Sequence, residues 1–84
     1  MPTKIYVGNL AFSTDSDALR ALFTPHGEVI SAQVVQDRDT GRSRGFGFVE
    51  MPSAEDAQKA ITATNGKNLD GRALTVNLAR ARTS

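Results

Sequence analysis

Cysteine is absent from this sequence, histidine occurs once, and no apolar run approaches the length of a membrane span. Without cysteine the chain can form no disulfide framework, no thiolate metal site and no cysteine nucleophile. The N-terminus also lacks the apolar segment of a secretory signal. These absences fit a reducing compartment and a protein without a membrane partner. We therefore expect a cytoplasmic protein, or a nuclear one if the source is a eukaryote.

The chain has 84 residues, enough for one small domain with a single core and too few for a second catalytic lobe. We expect a single domain over 1–84, with a core over about 4–79 and a short basic tail over 80–84. The one histidine, His26, follows a predicted helix, where a structural or solvent-exposed role is expected. The sequence predicts no catalytic residue, no metal site and no cofactor.

The net charge is only +1, but the charges are unevenly distributed along the chain. The two predicted helices and their flanks carry five acidic and two basic residues. The predicted strands, loops and tail carry eight basic and four acidic residues. A basic side on a near-neutral domain suits a polyanionic partner, although many surfaces of mixed charge have no such partner.

Four segments have the composition and the two-residue alternation of β-strands: 4–9, 29–36, 44–51 and 73–79. A helix is predicted to begin with Thr14 as its cap and to end before Pro25, and a second helix begins at Ser53. Segment 37–43 is predicted to be an exposed loop, and Asn65-Gly66 and Asp70-Gly71 predict tight turns. On the second and fourth strands we expect an inward-facing set of Ile30, Ala32, Val34, Leu74, Val76 and Leu78.

The order of these elements is strand, helix, strand, strand, helix, strand. It predicts an α+β fold of the ferredoxin-like kind, with a four-stranded antiparallel sheet and both helices on one face. The other face of the sheet has no helix to cover it. That face is either wet or a binding platform.

The third predicted strand places two aromatic rings on the uncovered face. Val49 and Met51 must face the helices, so Phe46 and Phe48 point the other way, beside Arg44. On the first strand Ile5 and Val7 point inward, which places Tyr6 on the same open face. A soluble protein seldom displays paired aromatic side chains on an open sheet without a use for them.

Residues 44–51 resemble the octamer signature of the RNA-recognition motif family, with seven of eight positions fitting when the free position is counted. Residues 5–10 resemble the hexamer that the family carries on its first strand. The resemblance extends over 4–82 and is closest to small single-domain members from bacteria and organelles. The one departure is Met51, where the family usually has an aromatic residue. Since Met51 faces the core, this departure concerns packing and not the open face.

The resemblance implies a role for each side chain of the open face. Tyr6 and Phe48 would each stack with one base, Phe46 would pack against the sugars between them, and Arg44 would pair with a phosphate. The implied ligand is a few nucleotides of single-stranded RNA. Single-stranded DNA is a second expected ligand, because stacking does not sense the 2′-hydroxyl. The protein is expected to be a monomer.

Further polar side chains extend the predicted interface. Gln33 and Asn77 face outward on the flanking strands, where they can hydrogen-bond to base edges. Arg80 and Arg82 follow the last strand, where members of the family often add contacts. Arg42 lies in the loop before the third strand and is either solvated or in contact with RNA.

Other interpretations of the same residues remain open at this stage. A protein-binding module of the same fold is one alternative, although such modules typically lose the stacking aromatics. A small acyl-phosphate hydrolase is another, but we find no phosphate-binding loop for it. We expect Phe12 and Phe23 to serve packing, with Phe12 anchoring a loop, and Lys4, Lys67 and Arg72 to be solvated.

Overall fold

The structure is a computed structural model that describes residues 3–69 and 71–79. The predicted tail over 80–84, with Arg80 and Arg82, lies outside the described residues. The longer elements are two helices and four strands: β1 Thr3–Gly8, α1 Ser16–Phe23, β2 Ser31–Gln36, β3 Ser43–Met51, α2 Ala54–Thr64 and β6 Thr75–Leu78. A 3₁₀ turn, Thr24–His26, follows α1, and two short strands, β4 Asn68–Leu69 and β5 Arg72–Ala73, precede β6.

The four long strands form one antiparallel sheet in the order β2-β3-β1-β6. Helix α1 packs mainly on β2 and β3, and α2 packs on β1 and β6, so both helices lie on the same face. The predicted ferredoxin-like α+β fold is confirmed. The sequence patterns did not reveal the small β4–β5 hairpin, because two residues are too few for an alternation to be recognised.

Each helix begins at a side chain that accepts a hydrogen bond from its first turn. Ser53 Oγ accepts from the backbone N–H of Asp56 at 3.4 Å, as predicted for α2. In α1 the cap is Asp15 and not Thr14, since Asp15 Oδ1 accepts from the Ala18 N–H at 2.8 Å. Thr14 is buried and its own N–H donates to the Ala11 carbonyl, which places it in the turn before the helix.

The core lies between the helices and the inner face of the sheet. Helix α1 contributes Leu19 and Phe23, and α2 contributes Ala57, Ala60 and Ile61. The sheet contributes residues at alternate positions of each strand, namely Ile5, Val7, Val34, Val49, Met51 and Val76. The side chain of Met51 is fully buried, which confirms that the departure from the family octamer affects the core.

Two residues that were predicted to face inward are instead exposed. Ile30 is 44% exposed and Leu78 is 48% exposed. Ile30 precedes the first residue of β2, so the alternation of that strand does not yet govern its direction, and Val29 takes the core position. Leu78 ends β6, which is an outer strand and has a neighbouring strand on one side only. The predictions for Val34, Leu74 and Val76 are confirmed.

Gly47 lets strands β2 and β3 approach α1 closely. A Cβ atom at position 47 would lie 2.5 Å from the Gln33 carbonyl oxygen and 3.0 Å from both Leu19 Cδ2 and Val34 Cα. Two of these three atoms belong to the backbone, which cannot rotate out of the way. The absence of a side chain at this position is therefore a packing requirement.

We predict that Gly47→Ala lowers the free energy of unfolding by about 1–3 kcal/mol, because the methyl group overpacks the core. Urea denaturation followed by circular dichroism measures the loss. Gly8→Ala is the matched control within the sheet. The three atoms nearest to a Cβ atom there all belong to the side chain of Tyr6, which can move, so we expect a smaller loss. Equal stability of Gly47→Ala and the wild type would contradict this packing argument.

Candidate nucleic-acid interface

The open face of the sheet carries a row of four side chains, one from each strand. Gln33 is paired with Phe48, Phe48 with Tyr6, and Tyr6 with Asn77 across neighbouring strands. The two aromatic residues occupy the central strands, and the two exposed amide side chains flank them. Because these four residues share one register, they all lie on the same line across the face.

Phe46 completes a compact cluster of three rings. The ring centroid of Tyr6 lies 5.9 Å from the centroids of both Phe46 and Phe48, and the two phenylalanine centroids are 6.1 Å apart. Phe48 meets both other rings edge-on, with interplanar angles of 63° and 89°. Such contacts are favourable between aromatic rings, so the cluster restrains the orientation of each ring before any ligand binds.

The parity of the strands places these rings outward without ambiguity. All three aromatic side chains are half-buried, whereas Ile5, Val7 and Val49 are completely buried on the opposite face. A shift of one residue would expose those aliphatic side chains and bury the rings instead. The prediction that Tyr6, Phe46 and Phe48 share the open face is therefore confirmed as geometry.

Gly8 makes room for the ring of Tyr6. A Cβ atom at position 8 would lie 2.5 Å from Tyr6 Oη and 2.8 Å from Tyr6 Cε2. The ring of Tyr6 therefore lies along β1 and covers Gly8, instead of pointing straight out from the sheet. Gly8 is also the strand partner of Phe46, which explains why these two rings meet.

Lys4, which was expected to be solvated, is a further member of the open face. Its Nζ atom lies 5.1 Å from the ring centroid of Phe48, within the range of a cation–π contact. The signal was present in the sequence, because Lys4 lies two residues before Tyr6 on the same strand. The strand partner of Lys4 is Glu50, whose Oε1 atom accepts a hydrogen bond from the Ser31 hydroxyl at 3.5 Å.

The cations near the rings have no carboxylate partner among the residues that the structure describes. Within 3–69 and 71–79 the one ion pair is Lys59 with Glu55, 4.0 Å apart on the exposed side of α2. Arg44 is exposed at the start of β3, and Arg42 is exposed in the loop before it. Both side chains are therefore available to an anionic ligand. Arg80 and Arg82 lie beyond the described part of the chain.

The prediction that Phe12 anchors a loop by packing against the core is wrong, because the side chain of Phe12 is 71% exposed. The loop between β1 and α1 buries Leu10 and Thr14 instead, and Phe12 lies between them on the outer side. Arg72, which was expected to be solvated, has its Cζ atom 5.9 Å from the Phe12 ring centroid. The packing role predicted for Phe23 is confirmed, since Phe23 is fully buried.

The described residues contain no cluster of three or more histidine, cysteine, aspartate or glutamate side chains that could hold a metal ion. No helix in the described ranges has both the length and the apolar character needed to cross a membrane.

Comparison with known families and curated proteins gives consistent matches. The model of the RNA recognition motif family matches residues 5–75. Over 80 residues the chain is 55% identical to the Arabidopsis thaliana RNA-binding protein CP31B, chloroplastic, covering 95% of this chain and 28% of that protein. It is 49% identical over 84 residues to the Arabidopsis glycine-rich RNA-binding protein 4, mitochondrial, covering 100% of this chain and 62% of that protein. The chain thus spans less than two thirds of these relatives.

Solved structures with the same architecture include domains with and without RNA. The first two RRM domains of the yeast poly(U)-binding protein Pub1 match with a TM-score of 0.91 and 38% identity, over 95% of this chain and 48% of that one. RNA Binding Protein PG1 matches with a TM-score of 0.91 and 45% identity, and the match covers 98% of this chain and 99% of that one. The Rna15 RRM with bound RNA (GU) matches with a TM-score of 0.83 and 27% identity, over 93% and 83%.

The predicted cytoplasmic or nuclear location is contradicted by these comparisons. The curated relatives are named as chloroplastic or mitochondrial proteins, which points to an organelle and not to the cytoplasm. The prediction relied on the absence of cysteine and of a secretory signal. Neither feature distinguishes the cytoplasm from an organelle whose interior is also reducing.

Proposed function

We propose that this chain, which belongs to the RNA recognition motif family, binds a few nucleotides of single-stranded RNA across its open sheet face. Membership of this family makes it an RNA-binding module and not an enzyme. The observation that carries this proposal is the cluster of Tyr6, Phe46 and Phe48 on the sheet face opposite the two described helices. Bases have apolar π-faces, and rings that are already oriented lose little entropy when a base stacks on them.

We assign the central stacking positions to Tyr6 and Phe48, one base on each. They are strand partners in the middle of the sheet, so two successive bases can lie side by side across β1 and β3. Phe46 lies two residues before Phe48 on β3 and contacts the rings of both Tyr6 and Phe48. This position suits a role against the sugars between the two stacked bases. Phe46 is half-buried, which leaves part of its ring accessible to a sugar.

Gln33 and Asn77 are proposed to hydrogen-bond to the edges of the stacked bases. Each lies directly beside one ring of the row, Gln33 next to Phe48 and Asn77 next to Tyr6. An amide side chain offers both a donor and an acceptor, so it can pair with several base edges. Both side chains are exposed, and a base on the neighbouring ring would come within their reach.

The cations at the border of the face are proposed to contact phosphates. Arg44 lies two residues before Phe46 on β3, and its guanidinium group suits a phosphate oxygen pair. Arg42 lies two residues earlier still, in an exposed loop. Lys4 joins this group because its ammonium already lies beside Phe48. Arg80 and Arg82 remain proposed contacts from the sequence alone.

Three finer aspects of the prediction also stay proposals. Single-stranded DNA is a second ligand, since stacking is common to both nucleic acids. The domain is proposed to be a monomer, since the described part of the chain exposes three large hydrophobic side chains, Phe12, Ile30 and Leu78, each on a different segment. The domain extends over 1–84, which fits the single core cluster of the described residues.

The rival functions are less well supported by the same surface. A protein-binding module would not need three accessible rings flanked by amides and cations. An acyl-phosphate hydrolase would need a loop of backbone N–H groups around a phosphate. In the β2–β3 loop the backbone N–H groups of Asp37, Asp39, Thr40, Gly41 and Arg42 already donate to acceptors within that loop.

We predict that Phe48→Ala and Tyr6→Ala each weaken RNA binding by about 1–3 kcal/mol, because each removes one stacking position. Fluorescence anisotropy with labelled single-stranded RNA measures the change, and circular dichroism verifies the fold. Phe48→Leu and Tyr6→Leu are matched controls that keep apolar packing but lack a flat ring, so they should weaken binding almost as much. Unchanged affinity in all four folded variants would sink the proposal.

The salt dependence of binding tests the phosphate contacts. With roughly two to four phosphates engaged, the slope of log affinity against log salt should be about −1.5 to −3. Arg44→Ala should make the slope shallower by about 0.7 and weaken unrelated RNA sequences to a similar degree. Lys59→Ala removes an exposed cation on α2, and it should leave the slope unchanged. If Arg44→Ala keeps the wild-type slope and loses affinity for only one sequence, Arg44 reads a base.

A further inference from the structure

Glu50 places a negative charge on the open face of the sheet, beside the ring cluster. It lies two residues after Phe48 on β3, so the two side chains share one side of that strand. Its strand partners are Lys4 on β1 and Ser31 on β2, and the three residues form a second row next to the row that contains Phe48. A carboxylate repels the phosphates of a nucleic acid, so its position on the proposed RNA surface requires a separate explanation.

The carboxylate of Glu50 is oriented towards β2 and forms no ion pair within the part of the chain that the structure describes. The Ser31 hydroxyl donates to Glu50 Oε1 at 3.5 Å. Lys4 does not pair with the carboxylate, because its Nζ atom lies beside the Phe48 ring, 5.1 Å from the centroid. A carboxylate has about four lone-pair positions on its two oxygens, so the contact with Ser31 leaves both oxygens able to accept from a ligand.

The proposed binding arrangement directs one edge of a base towards Glu50. In that arrangement a base lies on Phe48 and its sugar lies against Phe46. Phe46 and Glu50 lie two residues to either side of Phe48, and all three side chains project from the same face of β3. The edge of the base that is farthest from the sugar therefore points along β3 to Glu50. The Cα atoms of Phe48 and Glu50 are about 7 Å apart on an extended strand, a distance that a purine ring and a glutamate side chain together can bridge.

The chemistry of a carboxylate limits which base edge it can bind. An ionised carboxylate is an acceptor only, so it requires donors on the base. On the edge farthest from the sugar, guanine presents two adjacent donors, N1–H and the N2 amino group, which match the two carboxylate oxygens. Adenine and cytosine present one amino group beside a ring nitrogen acceptor, and uracil presents one N–H between two carbonyl oxygens. Guanine is therefore the base that fits Glu50 best.

We propose that Glu50 is a specificity-determining residue that selects guanine for the base position on Phe48. The proposal rests on the proposed RNA binding of the open face and adds a sequence preference to it. Both carboxylate oxygens accept from the base, one from N1–H and one from the N2 amino group, while the Ser31 hydroxyl orients the carboxylate from the side of β2. If Glu50 instead only repelled phosphates, it would weaken all RNA sequences to the same degree. The two roles are therefore separable by base substitution.

The test compares short, end-labelled oligouridylates in which one guanosine occupies each position in turn, with affinity measured by fluorescence anisotropy. At one position the wild type should bind guanosine about 5- to 150-fold more tightly than uridine, the range of a bidentate contact. Inosine, which lacks the N2 amino group, should lose much of that preference. Glu50→Gln has one acceptor and one donor in place of two acceptors, so it should lose most of the preference for guanosine. Glu55→Gln removes the same charge on the exposed side of α2, and it should leave the preference unchanged.

An abasic nucleotide at the preferred position shows whether the guanine lies on Phe48. In Phe48→Ala this replacement should have little further effect, and a large effect would overturn the proposal because the guanine would then lie elsewhere.

Four other outcomes would also overturn the proposal: a wild type without a guanosine preference at any position, a stronger preference for another base, inosine that binds as tightly as guanosine, and a Glu50→Gln variant that keeps the preference. A Glu50→Gln variant that binds every oligomer more tightly by the same factor would show that Glu50 acts on phosphates alone. Failure of the open-face proposal is distinguishable, because Phe48→Ala would then leave the affinity for every oligomer unchanged.

Discussion

The burial of one sheet face beneath two helices is the constraint from which the rest of the molecule follows. Ile5, Val7, Val49 and Met51 have to enter the core, since each is completely excluded from solvent. Because side chains alternate along a strand, burying these four forces their neighbours Tyr6, Phe46 and Phe48 to the other face. Among the residues that the structure describes, no further layer covers that face. The position of the three rings on the open face is thus a direct consequence of the same packing that holds the domain together.

Two glycines adapt this packing to opposite needs on the two faces. On the inner face, Gly47 lets the backbone of β2 and the side chain of Leu19 approach β3 at distances that no Cβ atom would permit. On the outer face, Gly8 leaves space for the ring of Tyr6 to lie along the strand. The first glycine affects the packing of the core, and the second affects the shape of the open face. A family signature rich in glycine and aromatic residues therefore encodes two separate steric requirements.

Residues inside long strands and helices were predictable from the sequence, and residues at their ends were not. The direction of the three rings followed from alternation alone, because a shift of register would have exposed several aliphatic side chains at once. Ile30, Leu78 and Thr14 were misjudged because each lies at an end of an element, where its direction depends on tertiary contacts. The packing role predicted for Phe12 was wrong for a related reason: its loop is fixed by Asn9 and by a two-residue hairpin, neither of which leaves a periodic pattern. The location failed because composition does not report an organelle.

The contact between Lys4 and Phe48 gives the two central rings different energetics. A cation above an exposed ring is worth about 0.5–1 kcal/mol, and a stacked base is worth about 1–3 kcal/mol. A base that stacks on the face of Phe48 next to Lys4 therefore displaces the ammonium with a net gain, but a smaller one than at a ring without such a contact. The displaced ammonium group of Lys4 stays close to β1, and its charge is then available to a phosphate. If a base stacks on Phe48 as proposed, this stacking and charge neutralisation by Lys4 would be coupled, because removing the lysine would make stacking easier while it removed one electrostatic contact.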